Sequence, residues 1–267
     1  MHAPLGRPVR QFGAVNWQGL WTLYLREVRR FLKVSMQTLF APVVTTLIFL
    51  MIFLLAMNGQ NRTMDGVPFL QFLAPGLVMM AVTQNAFANT TSSLMIMKMQ
   101  GNIIDLLMPP MNAWELTLGF ALGGLTRGVM VGAVVTAAMA IFVHVEIVSL
   151  WAALFYACAA SLLLSVLGII GAIWADKYDH LAAVTNFIVT PLAFLSGTFY
   201  SIEQLPPLWH TIVLCNPFFY MIDGFRYGLT GRAEAPLLVG VAILVAINGL
   251  LLLLAQQMID RGYKLKA

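Results

Sequence analysis

The reading of the fold turns on residues 191–217, "PLAFLSGTFYSIEQLPPLWHTIVLCNP". An apolar run arrives at Phe194 and passes Ser196-Gly197 to Tyr200. Glu203, Pro206, Pro207 and His210 follow, then a second apolar piece that stops at Asn216-Pro217. Proline lacks the amide donor and restrains the residue before it, so these prolines bound two short helices, at Pro207 to Cys215 and Pro217 to Leu229. At 1.5 Å per residue the two pieces reach only about 13 to 20 Å. A hydrocarbon core of about 30 Å is too thick for either. Yet both are apolar, with Leu208, Trp209 and Ile212 in one and Phe218, Phe219 and Phe225 in the other. The expected solution is a re-entrant helical hairpin within 201–235. It dips into the outer leaflet and returns, its turn covered by protein or water. Asp223 and Arg226, three residues apart on the second helix, can pair on its polar side. The competing solution is an outer loop lying flat on the membrane.

Working outward, the whole chain agrees with a membrane setting. It has 267 residues, 60% hydrophobic and 10% charged, where soluble domains carry about 25% charged residues. So much apolar surface does not fit one soluble core. Six runs are long enough to span: Thr38 to Met57, Phe69 to Thr90, Trp114 to Ala138, Leu150 to Trp174, Leu181 to Tyr200 and Pro236 to Met258. The expected fold is therefore all-α and polytopic, with six transmembrane helices. Trp114, Trp151, Trp174 and Tyr200 sit at span ends, as interfacial aromatics do.

Orientation follows from the cations. With the N-terminus inside, Arg7, Arg10, Arg26, Arg29, Arg30, Lys33, Lys98, Lys177, Arg261, Lys264 and Lys266 fall on the inner side, and only Arg62, Arg226 and Arg232 on the outer. Both termini are expected in the cytoplasm. The net charge of +4 is concentrated toward the ends, with no basic stripe interleaved with stacking aromatics, so nucleic acid is not an expected partner. Cys158 lies within an apolar run and Cys215 outside one, which argues against a disulfide. The first 36 residues lack the apolar core of a cleavable leader, so the first span is expected to serve as the targeting signal.

Before that span, residues 16–33 read "NWQGLWTLYLREVRRFLK". Trp17, Leu20, Trp21, Tyr24, Leu25, Val28, Phe31 and Leu32 share one helical face, and Gln18, Thr22, Arg26, Arg29, Arg30 and Lys33 the other. This predicts an amphipathic helix in the inner interface, with aromatics toward lipid and cations toward headgroups.

Between spans two and three runs "KMQGNIIDLLMPPMNAWELTLG", Lys98 to Gly119. Gly101 and Asn102 break the helix. Ile103, Ile104, Leu106 and Leu107 form a short apolar piece carrying Asp105, closed by Pro109 and Pro110. Such a piece facing cytosol needs a cover. It either folds back on the bundle or docks a soluble partner.

No G-x-x-x-x-G-K-[ST] stretch is present, so the chain is not expected to cradle ATP itself. H-E-x-x-H and G-x-S-x-G are also absent. His144 and Glu146 read as solvated loop residues rather than metal ligands, and no metal is expected. Gly124, Gly128 and Gly132 repeat every four residues in span three, and Ser161, Ser165 and Gly168 form a stripe in span four. Close helix packing explains both. In span two Asn85, Asn89 and Ser92 share a face, with Thr83 beside it. These either line a polar path or bond across helices. Arg127 is the one charge deep in a span, and the sequence offers it no evident partner.

The order of these parts resembles the type-2 ABC exporter permeases, membrane subunits that work with separate ATPase chains. The resemblance covers nearly the whole chain, 1–267, as one permease domain. Its most specific portion is Leu195-Ser196-Gly197, Leu205-Pro206, Asn216-Pro217, Tyr220, and Asp223 with Arg226. Tyr200-Ser201 stands where a proline is common, and the 95–110 segment is poorer in charge than usual. The resemblance implies a bacterial inner-membrane exporter of an amphipathic or hydrophobic substrate: a drug, a lipid or a lipid-linked glycan. Two copies would pair with two ATPases, which would hold ATP and Mg, so this chain would be neither an enzyme nor a cofactor binder. Coupling would pass through Lys98, Gly101, Asn102, Ile103, Asp105, Leu106, Leu107 and Pro109, and through Arg26, Glu27, Arg29 and Arg30. Spans two and five would line the path, with Thr83, Asn85, Asn89, Phe187, Thr190 and Phe194 as candidates and Arg127 beside them. Ser196, Gly197, Pro206, Asn216, Pro217, Tyr220, Asp223 and Arg226 would shape the outer exit. Two other classes compete. A stand-alone secondary transporter or channel should show inverted repeats and midplane ionisable groups. An intramembrane enzyme needs a nucleophile or metal cluster. The sequence shows neither set beyond Arg127.

Overall fold

A computed structural model describes residues 15–56, 63–64, 66–103 and 108–264. The chain is mostly helical. Helix α1 spans Trp17–Leu32. A π-helical turn, Met36–Phe40, leads into α2, Ala41–Ala56. A two-residue antiparallel ladder pairs Thr63–Met64 with Val67–Pro68 ahead of α3, Phe69–Met99. Helices α4, Ala113–Met139, and α5, Leu150–Trp174, follow. Helix α6, Tyr178–Val184, passes through a π-helical turn, Thr185–Val189, into α7, Thr190–Leu195. Then come α8, Pro207–Leu214, α9, Pro217–Thr230, and α10, Leu237–Asp260.

The local reasons are legible at the helix ends. Asn16 caps α1 by accepting from the Gly19 amide at 2.9 Å. Helix α9 opens on Asn216, whose Oδ1 accepts from Phe218 N at 3.1 Å, with Pro217 at the first position. It closes on Gly231 at φ 73°, a left-handed conformation that glycine adopts without cost. The proline reading of 207–229 thus returns as two helices whose ends differ by one residue from those expected.

Helix α3 is central and packs along α4 and α5, with α9 across the same group. The small residues make this possible. A Cβ on Gly128 would sit 2.5 Å from Ser161 Oγ, and one on Gly132 2.7 Å from Val82. Ser165 Oγ donates to Ala121 O at 3.0 Å, and Thr90 Oγ1 to Ser165 O at 2.8 Å, so the glycine and serine stripes close α3, α4 and α5 on one another.

Among the described residues, four helical stretches are long and apolar enough to cross a membrane: Met36–Ala56, Ala113–Met139, Leu150–Trp174 and Leu237–Asp260. The apolar windows of the α4 and α5 stretches are 50% and 61% buried, those of the α2 and α10 stretches only 11% and 17%. The second pair therefore presents its side chains to lipid or to another chain.

Helix α3 runs past its apolar stretch to Met99 and breaks at Gly101, as expected, with α1 and the end of α5 supporting its last turns. One expected boundary moves. The expected span to Tyr200 stops at Leu195, where Ser196 caps the helix and Gly197 turns the chain at φ 71°. Both cysteines are free.

Candidate functional site

Helix α1 is wedged into the bundle. Its buried stripe is Leu20, Leu23, Glu27 and Phe31. The expected face is rotated: Trp17 and Trp21 stay outward, 69% and 59% exposed, while Leu23 and Glu27 turn in. Gly119 and Gly123 of α4 make the room. A Cβ on Gly119 would lie 2.5 Å from Leu23, and one on Gly123 2.6 Å from Glu27 Cβ.

Glu27 is fully buried. Its Oε1 accepts from Ser93 Oγ at 2.7 Å, and its Oε2 from Arg30 Nη2 at 3.2 Å. Arg26 stands 3.6 Å away. Arg30 also donates to Asn89 O at 2.7 Å, Asn89 Oδ1 at 3.0 Å and Ser92 Oγ at 3.2 Å. A buried carboxylate survives only when paired and hydrogen-bonded, and this set supplies both. Glu27 therefore does not present itself to a soluble partner; Arg29 remains exposed, and Arg26 and Arg29 border an open groove along α1 with Lys33.

The same end of the bundle holds a second tie. Glu115 Oε2 accepts from Asn112 N at 2.9 Å and Oε1 from Asn16 N at 2.7 Å, joining the starts of α4 and α1. Asn16 Nδ2 donates to Pro110 O at 3.2 Å. The candidate coupling segment is thus anchored at its return. At its departure Gly101 turns at φ 72°, Asn102 is exposed, and Ile103 is buried in a cluster with Leu23 and Leu116. Pro109 is exposed. Asp105, Leu106 and Leu107 lie outside the described residues. Lys98 donates to Ile173 O at 2.9 Å and Ala175 O at 2.7 Å, while Lys264 donates to Trp174 O at 3.1 Å and Asp176 Oδ2 at 3.0 Å. Both cations satisfy the C-terminal carbonyls of α5. The Lys264 hydrogen bond, helped by the charge of Lys98, holds the Asp176 carboxyl below the usual carboxylate range.

The candidate path residues divide. Asn85, Gln84 and Phe194 line a cavity of about 450 Å³ between α2 and α3. Thr83 and Asn89 are buried away from it, Thr83 donating to Met79 O at 2.9 Å within its own helix. Phe187 is 81% exposed and Thr190 half-buried. Arg127 finds the partner that the sequence did not show: its Nη2 donates to Asn85 Oδ1 at 2.9 Å.

At the opposite end, 201–235 forms a tied structure. Asn216 Nδ2 donates to Leu192 O at 3.0 Å and Ser196 Oγ at 2.8 Å. Asp223 accepts from Glu234 N at 2.9 Å and Ala235 N at 3.0 Å. Arg226 donates to Gly197 O at 2.6 Å, lies 3.8 Å over the Phe72 ring, and stands 3.9 Å from both Asp223 and Glu234. The expected pairing of Asp223 and Arg226 is present, and Glu234 completes it. Tyr220 donates to Leu214 O at 2.9 Å, and Pro206 leads into α8. His144 and Glu146 are solvent-exposed, 3.0 Å apart, and among the described residues no group of three or more candidate ligands gathers for a metal.

Sequence reasoning missed Ser93 and the tie made by Glu115. A signal existed for one of them: Ser93 lies one helical turn beyond Asn89 on α3.

Residues 18–230 match the ABC-2 type transporter family. The chain belongs to that family. It is 35% identical over 251 residues to the inner membrane transport permease YadH of Escherichia coli K12, covering 94% of this chain and 98% of that one. It is 23% identical over 239 residues to nodulation protein J of Rhizobium leguminosarum bv. viciae, covering 87% and 89%. Its identity to nodulation protein J of Rhizobium meliloti is 24% over 212 residues. As an ABC-2 chain it is a membrane subunit of an ABC transporter, a type of subunit distinct from the ATPase chains of such systems.

Proposed function

We propose that this ABC-2 permease is the transmembrane half of an ATP-driven exporter in the bacterial inner membrane, moving an amphipathic or hydrophobic substrate outward. Two copies work with two ATPase chains that hold ATP and Mg. Six segments cross the bilayer: the four long apolar helices, together with α3 and the α6–α7 unit. Both termini face the cytoplasm, α1 lies at the inner interface, and α8 with α9 forms the re-entrant outer region. The location follows that of the Escherichia coli relative, an inner membrane transport permease; the orientation follows the lysines and arginines.

The observation that carries the reading is the seating of Glu27. A movement imposed on the 101–110 segment or on α1 cannot stay local, because Asn16, Glu115, Glu27 and Arg30 bind α1 to α3 and α4 by hydrogen bonds of 2.7 to 3.3 Å. ATPase closure pressing on that end would then reach the α2–α3 cavity through α3. The test is co-expression with a candidate ABC ATPase from the same genome. The two should purify together, and replacing Asp105 and Leu106 together by arginine should abolish association or ATP turnover. A complex with unchanged turnover would remove the coupling role from that segment.

A further inference from the structure

Arg127 stands in the middle of α4 with 9% of its surface exposed. It donates one hydrogen bond, to Asn85 Oδ1, and its Nε has no partner. Among the described residues no carboxylate lies within ion-pair distance of it, and the charge that acts on it is Arg30, of like sign. A guanidinium carries five N–H donors and is costly inside a bilayer. The other buried charges here are satisfied: Glu27 by Arg30, Asp223 and Arg226 by each other and Glu234, and Glu115 by the amides of Asn16 and Asn112. Arg127 alone among these has an amide oxygen where an anion would serve better.

That amide is the wall of a cavity. Asn85 and Gln84, with Gln37, Thr45 and Thr46, supply its polar lining, and Phe49, Leu77, Met80 and Phe194 its large apolar side chains, in a space of about 450 Å³. Helix α2, which forms one wall, is little buried within this chain, so the space borders a surface open to lipid or to a second copy. Asn85 is only half-buried, and its Nδ2 is tied to Ala81 O at 2.9 Å by one bond that a rotamer change releases.

We propose that the α2–α3 cavity takes an anionic amphiphile from the bilayer, its phosphate or carboxylate replacing Asn85 as the acceptor for Arg127 and its chains lying along Phe49, Leu77, Met80 and Phe194. This rests on the exporter reading and narrows its substrate class by charge. The ion pair gives the head a charge-assisted hydrogen bond, and the apolar wall accepts the tail.

The test uses the full chain with its ATPase in phosphatidylcholine nanodiscs. Photoactivatable phosphatidic acid and diacylglycerol with identical chains are the probes, and labelling of the peptide containing Leu77 and Asn85 is the readout. The wild type should prefer the anionic probe about tenfold, the value of one charge-assisted hydrogen bond. Arg127→Gln should label equally with both probes. Asn85→Asp supplies an internal counter-ion and should lose the preference while retaining diacylglycerol labelling, so it decides the matter even where Arg127→Gln fails to fold. Equal labelling of the wild type, or a preference surviving Asn85→Asp, would overturn the proposal. ATP turnover measured on the same discs separates the two readings. Turnover without charge preference removes this site alone. Charge preference in a chain that neither binds nor stimulates an ATPase removes the exporter reading alone.

Discussion

Replacing Glu27 by alanine should loosen α1 from the bundle. The Cβ stays, so the packing against Gly123 is kept, and what goes is the carboxylate. Ser93 Oγ loses an acceptor at 2.7 Å and Arg30 loses one at 3.2 Å. Breaking a buried pair by removing one partner costs about 3 to 5 kcal/mol. Two features lower the figure here. The Arg30 side chain is 30% exposed, and it keeps the Asn89 carbonyl and amide oxygens as acceptors. About 2 kcal/mol remains, which is about a thirtyfold rise in the undocked population of α1. Hydrogen exchange of the α1 amides in nanodiscs reads this directly: exchange across 23–31 should accelerate by that order. Arg29→Ala, at an exposed position, should change it little. Glu27→Gln retains an acceptor for Ser93 and should fall between. If Glu27→Ala exchanged like wild type, the docking of α1 would not depend on its buried carboxylate, and the coupling argument would lose its mechanical link.

Other expectations are local. Gly128→Ala places a methyl 2.5 Å from Ser161 Oγ and should destabilise the α4–α5 contact by about 1 to 3 kcal/mol, visible as a lower Tm in detergent. Asp223→Ala strips the acceptor from the Glu234 and Ala235 amides and should cost about 3 kcal/mol or more, with faster proteolysis in 231–236. The Asp176 carboxyl has a folded pKa below its unfolded value of about 3.9, so its contribution is complete above that value and is lost as pH falls through the folded pKa. Exchange of the amides at 260–264 should therefore be insensitive to this group from neutral pH down to about pH 4 and accelerate below it, whereas Asp176→Asn should accelerate it at neutral pH.

Punctuation residues were the most legible part of this chain. Pro207 and Asn216-Pro217 act on their own backbone, so their effect is written locally, and α8 and α9 start where those residues put them. The i, i+3 pair of Asp223 and Arg226 was legible for the same reason, since one helix fixes its geometry. The face of α1 was not. A helical projection sets Glu27 between Leu20 and Leu23 at the edge of the apolar face, and the gap left by Gly119 and Gly123, almost a hundred positions away, is what makes that edge the buried one. Arg127 and Asn85 are 42 residues apart on different helices, and no spacing rule connects them. Nothing in the local sequence marks Glu234; its place beside Arg226 follows from the turn between α9 and α10.

The central claim is that the work of this chain is powered by another polypeptide. Vesicles reconstituted with this chain alone, loaded with ATP and a fluorescent amphiphile, test it most directly. The account predicts no ATP hydrolysis and no net transfer until the partner ATPase is added on the α1 side, and ATP-dependent transfer afterwards. Sustained transfer against a gradient by the chain alone would contradict it.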